Sequence, residues 1–335
     1  MTPNRRKRAV PEESVSSPRV ADPCEDTADW VERWTLTNKD GNTSFAELCS
    51  AMNISGSADG YIDSDEFEFD ETEGPAIDVS ASDDSHLYEA AAEATFTELS
   101  DRISACGETR YPFTVTKESV ASNDLASNSI YTFLLLLNKY GPDAGPNRNE
   151  GAKLFEEVCA HALTRFLGGK EGHADAQVFG FPRRVSCDGF ANALTSLCNR
   201  LGEGQGAKLR PTTLDQKDGK LDVVGWKGFS DGRKGKLILF GQCATGVHWR
   251  DKKNELAPTH DWCTKWMMDR PNIWPIRSFF VPHRVSSKEW FDTCTDAGLL
   301  FDRCRLTYYA EGLLQPISDE IAAWCRYVID HLPAQ

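Results

Sequence analysis

The spacing of hydrophobic residues switches between two periods in the second half of the chain. Apolar residues at every third or fourth position predict helices, and short apolar or alternating runs between them predict strands. The predicted helices are Gly151–Leu167, Asp188–Leu201, Ser287–Ala297 and Ser318–Leu332, with another beginning near Trp249. The predicted strands are Ala176–Phe181, Leu221–Trp226, Lys236–Ala244, Trp274–Val281 and Leu299–Asp302. This alternation is typical of an α/β fold in which a mixed β-sheet is flanked by helices.

Before residue 146 the periodicity is weaker and the sequence is more polar. Residues 1–28 are rich in proline, serine and charge, which predicts a disordered tail. Residues 29–145 are predicted to form an acidic, mainly helical or irregular region. The helices predicted within it are Ser44–Met52, His86–Cys106 and Ser127–Lys139. The Gly-Pro-Asp-Ala-Gly-Pro run at 141–146 is rich in turn residues, so we place the start of a second domain, 146–335, there.

The charge of the chain is divided unevenly. The 335 residues carry a net charge of −14. Residues 1–110 hold 9 lysines and arginines against 25 aspartates and glutamates, whereas residues 111–335 hold 28 against 26. The acidity therefore belongs to the first third. The near-neutral remainder fits a protein whose functional carboxylates lie among basic residues.

Several classes of protein are disfavoured by the sequence. The longest apolar run, Tyr131–Leu137, is far shorter than the ~18 residues of a membrane-spanning helix. The first residues lack the apolar segment of a secretory signal, so we expect a cytoplasmic protein without a membrane partner. The eleven cysteines include no Cys-x-x-Cys pair, which predicts buried reduced thiols. Motifs of zinc proteases and of phosphate-binding loops are also missing.

One acidic segment resembles a calcium-binding loop. Gly56–Glu66 is similar to the second half of an EF-hand loop, with Gly60 and Glu66 at loop positions six and twelve. Ser55 and Ser57 stand at positions that usually carry carboxylates. An acidic surface loop is therefore the preferred interpretation, and calcium binding is the alternative.

Two predicted strands, joined by a hairpin, carry polar residues in apolar surroundings. Asp222 lies at the start of the first strand, and Gln242 lies near the end of the second. A buried carboxylate is costly unless it is paired or bound to a metal ion. We therefore expect a divalent cation between the two strand ends.

This arrangement resembles the PD-(D/E)XK nuclease superfamily, and in particular its Mrr-like branch, in which glutamine replaces an acid of the motif. The resemblance covers about residues 150–282, with the helix Asp188–Leu201 as an insertion. It implies a restriction-endonuclease-like core. It also implies that Asp222 and Gln242 hold Mg²⁺ or Mn²⁺ and that the backbone carbonyl of Cys243 makes a further metal contact.

The lysine of the family motif falls on Ala244 in this chain, so another lysine must replace it. The spacing of Trp249, Lys252 and Leu256 predicts that they share one face of a helix. Lys252 is therefore our first choice for the catalytic lysine, and Lys253 is the second. The alternative is that both lysines only solvate the helix.

Members of this family often take a further glutamate from the helix before the sheet. Glu157 shares a helix face with polar residues, whereas Glu156 is flanked at helical spacing by apolar residues. A carboxylate on an apolar face calls for a buried role. We therefore expect Glu156 to contribute to catalysis and to the metal site, with a partly buried salt bridge as the alternative.

The resemblance implies a DNA endonuclease that hydrolyses phosphodiester bonds in bacterial antiphage defence or restriction. Catalysis would rest on Glu156, Asp222, Gln242 and Lys252. Such nucleases usually act beside a helicase or ATPase partner protein. The alternative is a catalytically degenerate subunit that binds DNA or a partner protein in a defence complex, which Ala244 at the lysine position favours.

Overall fold

The computed structural model describes residues 17–58, 85–126, 129–180, 189–208, 219–256 and 258–331. Two units can be distinguished by their internal contacts. The smaller one comprises residues 11–103 and 113–123, and the larger one comprises residues 104–112 and 124–332. The boundary expected at 141–146 therefore falls inside the larger unit. Within the described ranges, no helix is both long and apolar enough to cross a membrane.

The smaller unit combines helices with a short antiparallel sheet. Its helices are α1 (Cys24–Thr37), α2 (Phe45–Ala58) and most of α3 (Ser85–Cys106). Its strands are β1 (Asn42–Ser44), β2 (Phe113–Val115) and β3 (Ser119–Ser122), in the spatial order β1-β3-β2. The sequence predicts α2, α3 and a short extended run at Tyr111–Val115, which overlaps β2, but it predicts neither β1 nor β3. The calcium-loop positions Gly60 and Glu66 lie outside the described residues.

Helix α1 corrects the prediction of a disordered tail over residues 1–28, because it begins at Cys24. Trp30 and Val31 are buried, and the rings of Trp30 and Trp34 stack with their centroids 5.1 Å apart. The tail is predicted from proline, serine and charge, whereas several charged residues of α1, such as Asp29 and Glu32, are buried.

A buried charge cluster joins α1 to α3. Arg102 has no exposed surface, and its Nη1 atom donates to Asp29 Oδ1 at 2.7 Å and to Glu32 Oε2 at 2.8 Å. Its Nε atom donates to Glu98 Oε1 at 2.8 Å, and its Nη2 atom donates to the carbonyl oxygen of Glu25 at 2.8 Å. A guanidinium can be buried only when such acceptors replace the water that it loses. This cluster, Arg102 with Asp29, Glu32 and Glu98, therefore fixes the two helices to each other.

The larger unit is built on a mixed five-stranded sheet. Its strands are β4 (Ala174–Val178), β5 (Val223–Lys227), β6 (Leu237–Cys243), β7 (Ile276–Phe280) and β8 (Leu299–Phe301), in that spatial order. Strands β4, β5 and β6 pair antiparallel, whereas β7 pairs with β6 and β8 pairs with β7 in parallel. Each strand overlaps the apolar run that predicted it.

Helices cover both faces of this sheet, which confirms the predicted layered α/β class. They are α4 (Ile130–Tyr140), α5 (Glu150–Phe166), α6 (Gly189–Leu201), α7 (Thr259–Trp266), α8 (Ser287–Ala297), α9 (Arg303–Tyr309) and α10 (Ile317–Asp330). Val223 and Leu239 pack on the side of α4, α5 and α10, whereas Val224 and Phe240 pack on the side of α6 and α7. Helix α4 belongs to this unit because its apolar residues pack against α10.

A glycine in β5 allows α5 to lie close against the sheet. A Cβ atom at Gly225 would fall 2.5 Å from Cδ2 of Leu163 on α5, so any larger residue would push the helix outward. Since α5 also carries Glu156, this close packing brings that carboxylate near the ends of the central strands.

Candidate functional site

Asp222 and Gln242 lie side by side at the end of the β5–β6 hairpin. The pair Val223–Gly241 is in register, and the backbone N–H of Asp222 donates to the carbonyl oxygen of Gly241 at 2.9 Å. One residue further, the backbone N–H of Cys243 donates to Asp222 Oδ2 at 2.7 Å. The antiparallel pairing therefore holds the carboxylate of Asp222 against the end of β6.

Glu156 reaches the same strand end from α5, where Gly180 lies between its carboxylate and the backbone of Asp222. The backbone N–H of Gly180 donates to the carbonyl oxygen of Asp222 at 2.9 Å. A Cβ atom at Gly180 would fall 2.7 Å from Glu156 Oε2 and 2.9 Å from Glu156 Oε1. Glu156 therefore packs against the backbone that is bonded to Asp222. Glu157, the alternative on the same helix, is half-buried.

The space at Gly180 gives the first prediction. In Gly180→Ala the new methyl group would displace the carboxylate of Glu156, and we expect DNA nicking to fall by about 10-fold, as for the loss of an orienting contact. The unfolding free energy should change by less than about 1 kcal/mol, because a half-buried glutamate can shift towards solvent.

Gly172→Ala is the matched control for this change, since a Cβ atom at Gly172 would meet nothing within 4 Å. The comparison uses the nicking rates and the urea denaturation curves of Gly180→Ala and Gly172→Ala. Equal nicking rates for the two alanine variants would contradict the placement of Glu156 in the site.

Gln242 has an unusual hydrogen-bonding state. Its side chain is only 4% exposed, and its Nε2 atom donates to Glu255 Oε2 at 2.7 Å. Its Oε1 atom is buried and has no hydrogen-bond partner among the described residues. Buried polar atoms in proteins usually have partners, so this oxygen retains the capacity to accept a further contact.

The buried thiol of Cys159 and the partly buried thiol of Cys243 lie near these carboxylates. Burial raises the pKa of the Cys243 thiol well above its ordinary value, and a hydrogen bond with Cys159 and the charges of Asp222 and Glu156 raise it further. Burial likewise raises the pKa of the Cys159 thiol. Both cysteines are therefore protonated and unreactive at neutral pH. Every cysteine of the described residues is a free thiol, as the sequence predicted.

The structure does not support the helix face that was expected to present Lys252. Only one 3₁₀ turn, Trp249–Lys252, forms there. Trp249 packs in a cluster with Ala244, whereas Leu256 packs in the separate cluster of α6 and α7. The shared face is therefore wrong, because its two apolar residues enter different cores. Lys253 forms an ion pair 3.0 Å long with Asp296 on α8.

The structure brings two residues to the site that the sequence reasoning passed over. Glu255 accepts from Gln242, and Nζ of Lys220 lies 3.4 Å from Glu255 Oε2. Lys220 stands two positions before Asp222, but its backbone is left-handed, with a φ of 69°, so strand alternation does not apply to it. The sequence therefore contains no usable signal for Lys220. Glu255 had none either, since its position depends on the turn after Lys252.

The residues at this strand end fit an oxygen-binding cation. No three side chains of the histidine, cysteine, aspartate and glutamate types are grouped to hold a metal ion in the parts of the chain that the structure describes. A cation would therefore need Asp222 and Glu156 together with neutral oxygens, such as the orphaned Oε1 atom of Gln242. Carboxylate and amide oxygens suit Mg²⁺ and Mn²⁺. The carbonyl oxygen of Cys243 stays a predicted further ligand.

Similarity to known proteins adds no function to this geometry. The strand end carries Asp222 and Gln242. Glu156 packs against the backbone bonded to Asp222, whereas Glu255 contacts Gln242 and Lys220. Their chemistry is that of a half-buried, acidic, oxygen-rich site. No protein-family model matches the chain, and no curated protein and no solved structure shows significant similarity to it.

Proposed function

We propose that the larger unit is a metal-dependent nuclease of the PD-(D/E)XK type that hydrolyses phosphodiester bonds in DNA. The observation that carries the proposal is the buried Oε1 atom of Gln242, which has no protein partner among the described residues. Gln242 directly precedes Cys243, whose backbone N–H donates to Asp222. Leaving such an oxygen unpaired destabilises the protein. A bound cation would supply the partner.

The order of the elements supports this assignment. A helix, α5, is followed by three antiparallel strands, a helix and a parallel strand, and α6 is inserted between β4 and β5. Asp222 precedes the second strand and Gln242 ends the third. The order and the two polar positions match those of the family that the sequence resembles.

Each residue has a role in this proposal. Asp222, Gln242 and Glu156 would hold Mg²⁺ or Mn²⁺. When bound, the cation lowers the pKa of a coordinated water and stabilises the negative charge of the transition state. The backbone N–H of Cys243 orients the carboxylate of Asp222. Two carboxylates and a neutral amide leave the site less acidic than three carboxylates would, which favours the approach of a phosphate.

The test is nicking of supercoiled plasmid DNA by the full chain in Mn²⁺ and in Mg²⁺. We expect nicking that stops when the cation is removed with a chelator. A bound but uncut plasmid would favour the second candidate, a degenerate nuclease fold that binds DNA or a partner protein. The observation in favour of that candidate is Ala244, which is fully buried at the position of the motif lysine. A role in antiphage defence and a helicase or ATPase partner are further parts of the proposal.

Lys220 is connected to the proposed metal ligand Gln242 through Glu255. Its ammonium group pairs with Glu255, which is bonded to Gln242, and it is 60% exposed to an approaching substrate. In Lys220→Ala we expect nicking to fall by about 100-fold, the lower range for the loss of an acid–base or charge-neutralising group.

Lys252→Ala and Lys253→Ala are the matched controls for this prediction. Nicking rates measured under identical conditions decide between the lysines. We expect Lys253→Ala to remain within about twofold of the wild type, because its ion pair with Asp296 is partly exposed. A large loss in Lys252→Ala, with none in Lys220→Ala, would return the catalytic role to Lys252.

A further inference from the structure

The contact between Gln242 and Glu255 determines which atom of the Gln242 amide can face a metal ion. An amide presents a nitrogen at one side and an oxygen at the other, and only the oxygen can ligate a cation. A glutamine in a metal site therefore needs its orientation fixed. A glutamate in the same place would not, because its two oxygens are equivalent.

Glu255 fixes this orientation by its chemistry. An ionised carboxylate can only accept hydrogen bonds, so the group that faces Glu255 Oε2 at 2.7 Å must be the Nε2 atom of Gln242. The Oε1 atom must then face the other way, and it is this atom that is buried without a partner. A flipped amide would place two oxygens against each other.

Lys220 pairs with the carboxylate of Glu255. Its Nζ atom lies 3.4 Å from both carboxylate oxygens of Glu255. The carboxylate is 32% exposed, so the ion pair is screened by water and contributes little to folding. Its effect is local, because a contact to both oxygens restricts the rotation of the carboxylate that faces Gln242.

We propose that Glu255 is a positioning residue that turns Gln242 into an oxygen ligand for the cation. This inference rests on the proposed metal site at Asp222 and Gln242. It adds a role for Glu255, a turn residue that is not part of the family motif. Residues that orient metal ligands typically change metal affinity by about 10- to 100-fold.

The test measures Mn²⁺ binding to the full chain by isothermal titration calorimetry, in two backgrounds. With Gln242 present, we expect Glu255→Ala to weaken Mn²⁺ binding by about 10-fold or more, because the amide loses its fixed orientation. In the Gln242→Glu background the same change should weaken binding much less, because the two oxygens of a glutamate are equivalent and only the attraction of the Glu255 charge is lost. The size of the effect of Glu255→Ala therefore depends on which residue stands at position 242.

Glu289→Ala is the matched control. Glu289 is an exposed glutamate of α8 whose carboxylate lies 2.8 Å from Nη2 of Arg250. The substitution removes the same charge from the same unit and should leave Mn²⁺ binding unchanged in both backgrounds. Thermal denaturation of each variant, followed by circular dichroism, verifies folding at the titration temperature.

The outcomes separate this inference from the proposed function. Equal weakening by Glu255→Ala in both backgrounds would mean a merely structural role and would overturn the inference. Binding that Asp222→Asn abolishes, but that Glu255→Ala leaves unchanged, would retain the metal site and reject the positioning role. A wild-type chain that does not bind Mn²⁺ would overturn both.

Discussion

Asp222→Ala is expected to reduce nicking of supercoiled plasmid in Mn²⁺ by at least about 1000-fold, which corresponds to about 4 kcal/mol of transition-state stabilisation. The carboxylate of Asp222 is held at the strand end by the backbone N–H of Cys243, so it is positioned before any ligand binds. Its removal takes away a negatively charged ligand that the neutral Gln242 cannot replace.

Asp222→Asn separates charge from shape in this prediction. The asparagine oxygen can still accept from the N–H of Cys243, so the hairpin should remain intact, yet the negative charge is lost. We expect nicking to be as low as in Asp222→Ala, with a smaller change in melting temperature. Asp175→Asn is the control, because this aspartate of β4 pairs with Arg200 at 2.6 Å. Wild-type activity in either Asp222 variant would refute the assignment.

Arg102→Met is expected to destabilise the smaller unit by about 3–5 kcal/mol, the range for removing one member of a buried charge network. The change leaves three carboxylates, those of Asp29, Glu32 and Glu98, facing one another without their shared cation. The methionine fills part of the volume but donates no hydrogen bond. Hydrogen exchange of the backbone amides of α1, followed by mass spectrometry, measures the loss in the full chain.

Two further variants make this stability prediction specific. Arg19→Ala removes an exposed partner of Asp22 and should cost less than about 1 kcal/mol. Arg102→Lys keeps the charge but cannot reach all the acceptors in a fork geometry, so we expect an intermediate loss. Unchanged protection of the α1 amides in Arg102→Met would show that the cluster does not hold α1.

The core of the larger unit could be predicted closely from local pattern. Strands β5 and β6 end within two residues of the predicted bounds, and α8 matches Ser287–Ala297. Its start is signalled by Ser286, whose side chain accepts from the N–H of Glu289. The neighbouring positions of Asp222 and Gln242 followed from the hairpin, because antiparallel register is fixed once the two strands are known.

The features that the sequence did not reveal depend on contacts between residues that are distant in the chain. Helix α1 was missed because its acids look exposed until Arg102, some 70 residues later in the chain, is packed against them. The helix predicted at Trp249 failed because tertiary packing draws Trp249 and Leu256 into different clusters. Glu255 and Lys220 are separated by 35 residues, so only the folded chain brings them together.

The pairing of Arg200 with Asp175 has a consequence for how the sheet ends. Among the residues that the structure describes, β4 is the outermost strand on its side, and such a strand can pair with a strand of another molecule. Arg200, on α6, also donates to Gln177, two residues along the same strand. A charged side chain from a covering helix, together with a strand of only five residues, disfavours such pairing. The same contacts that anchor α6 therefore protect this edge against aggregation.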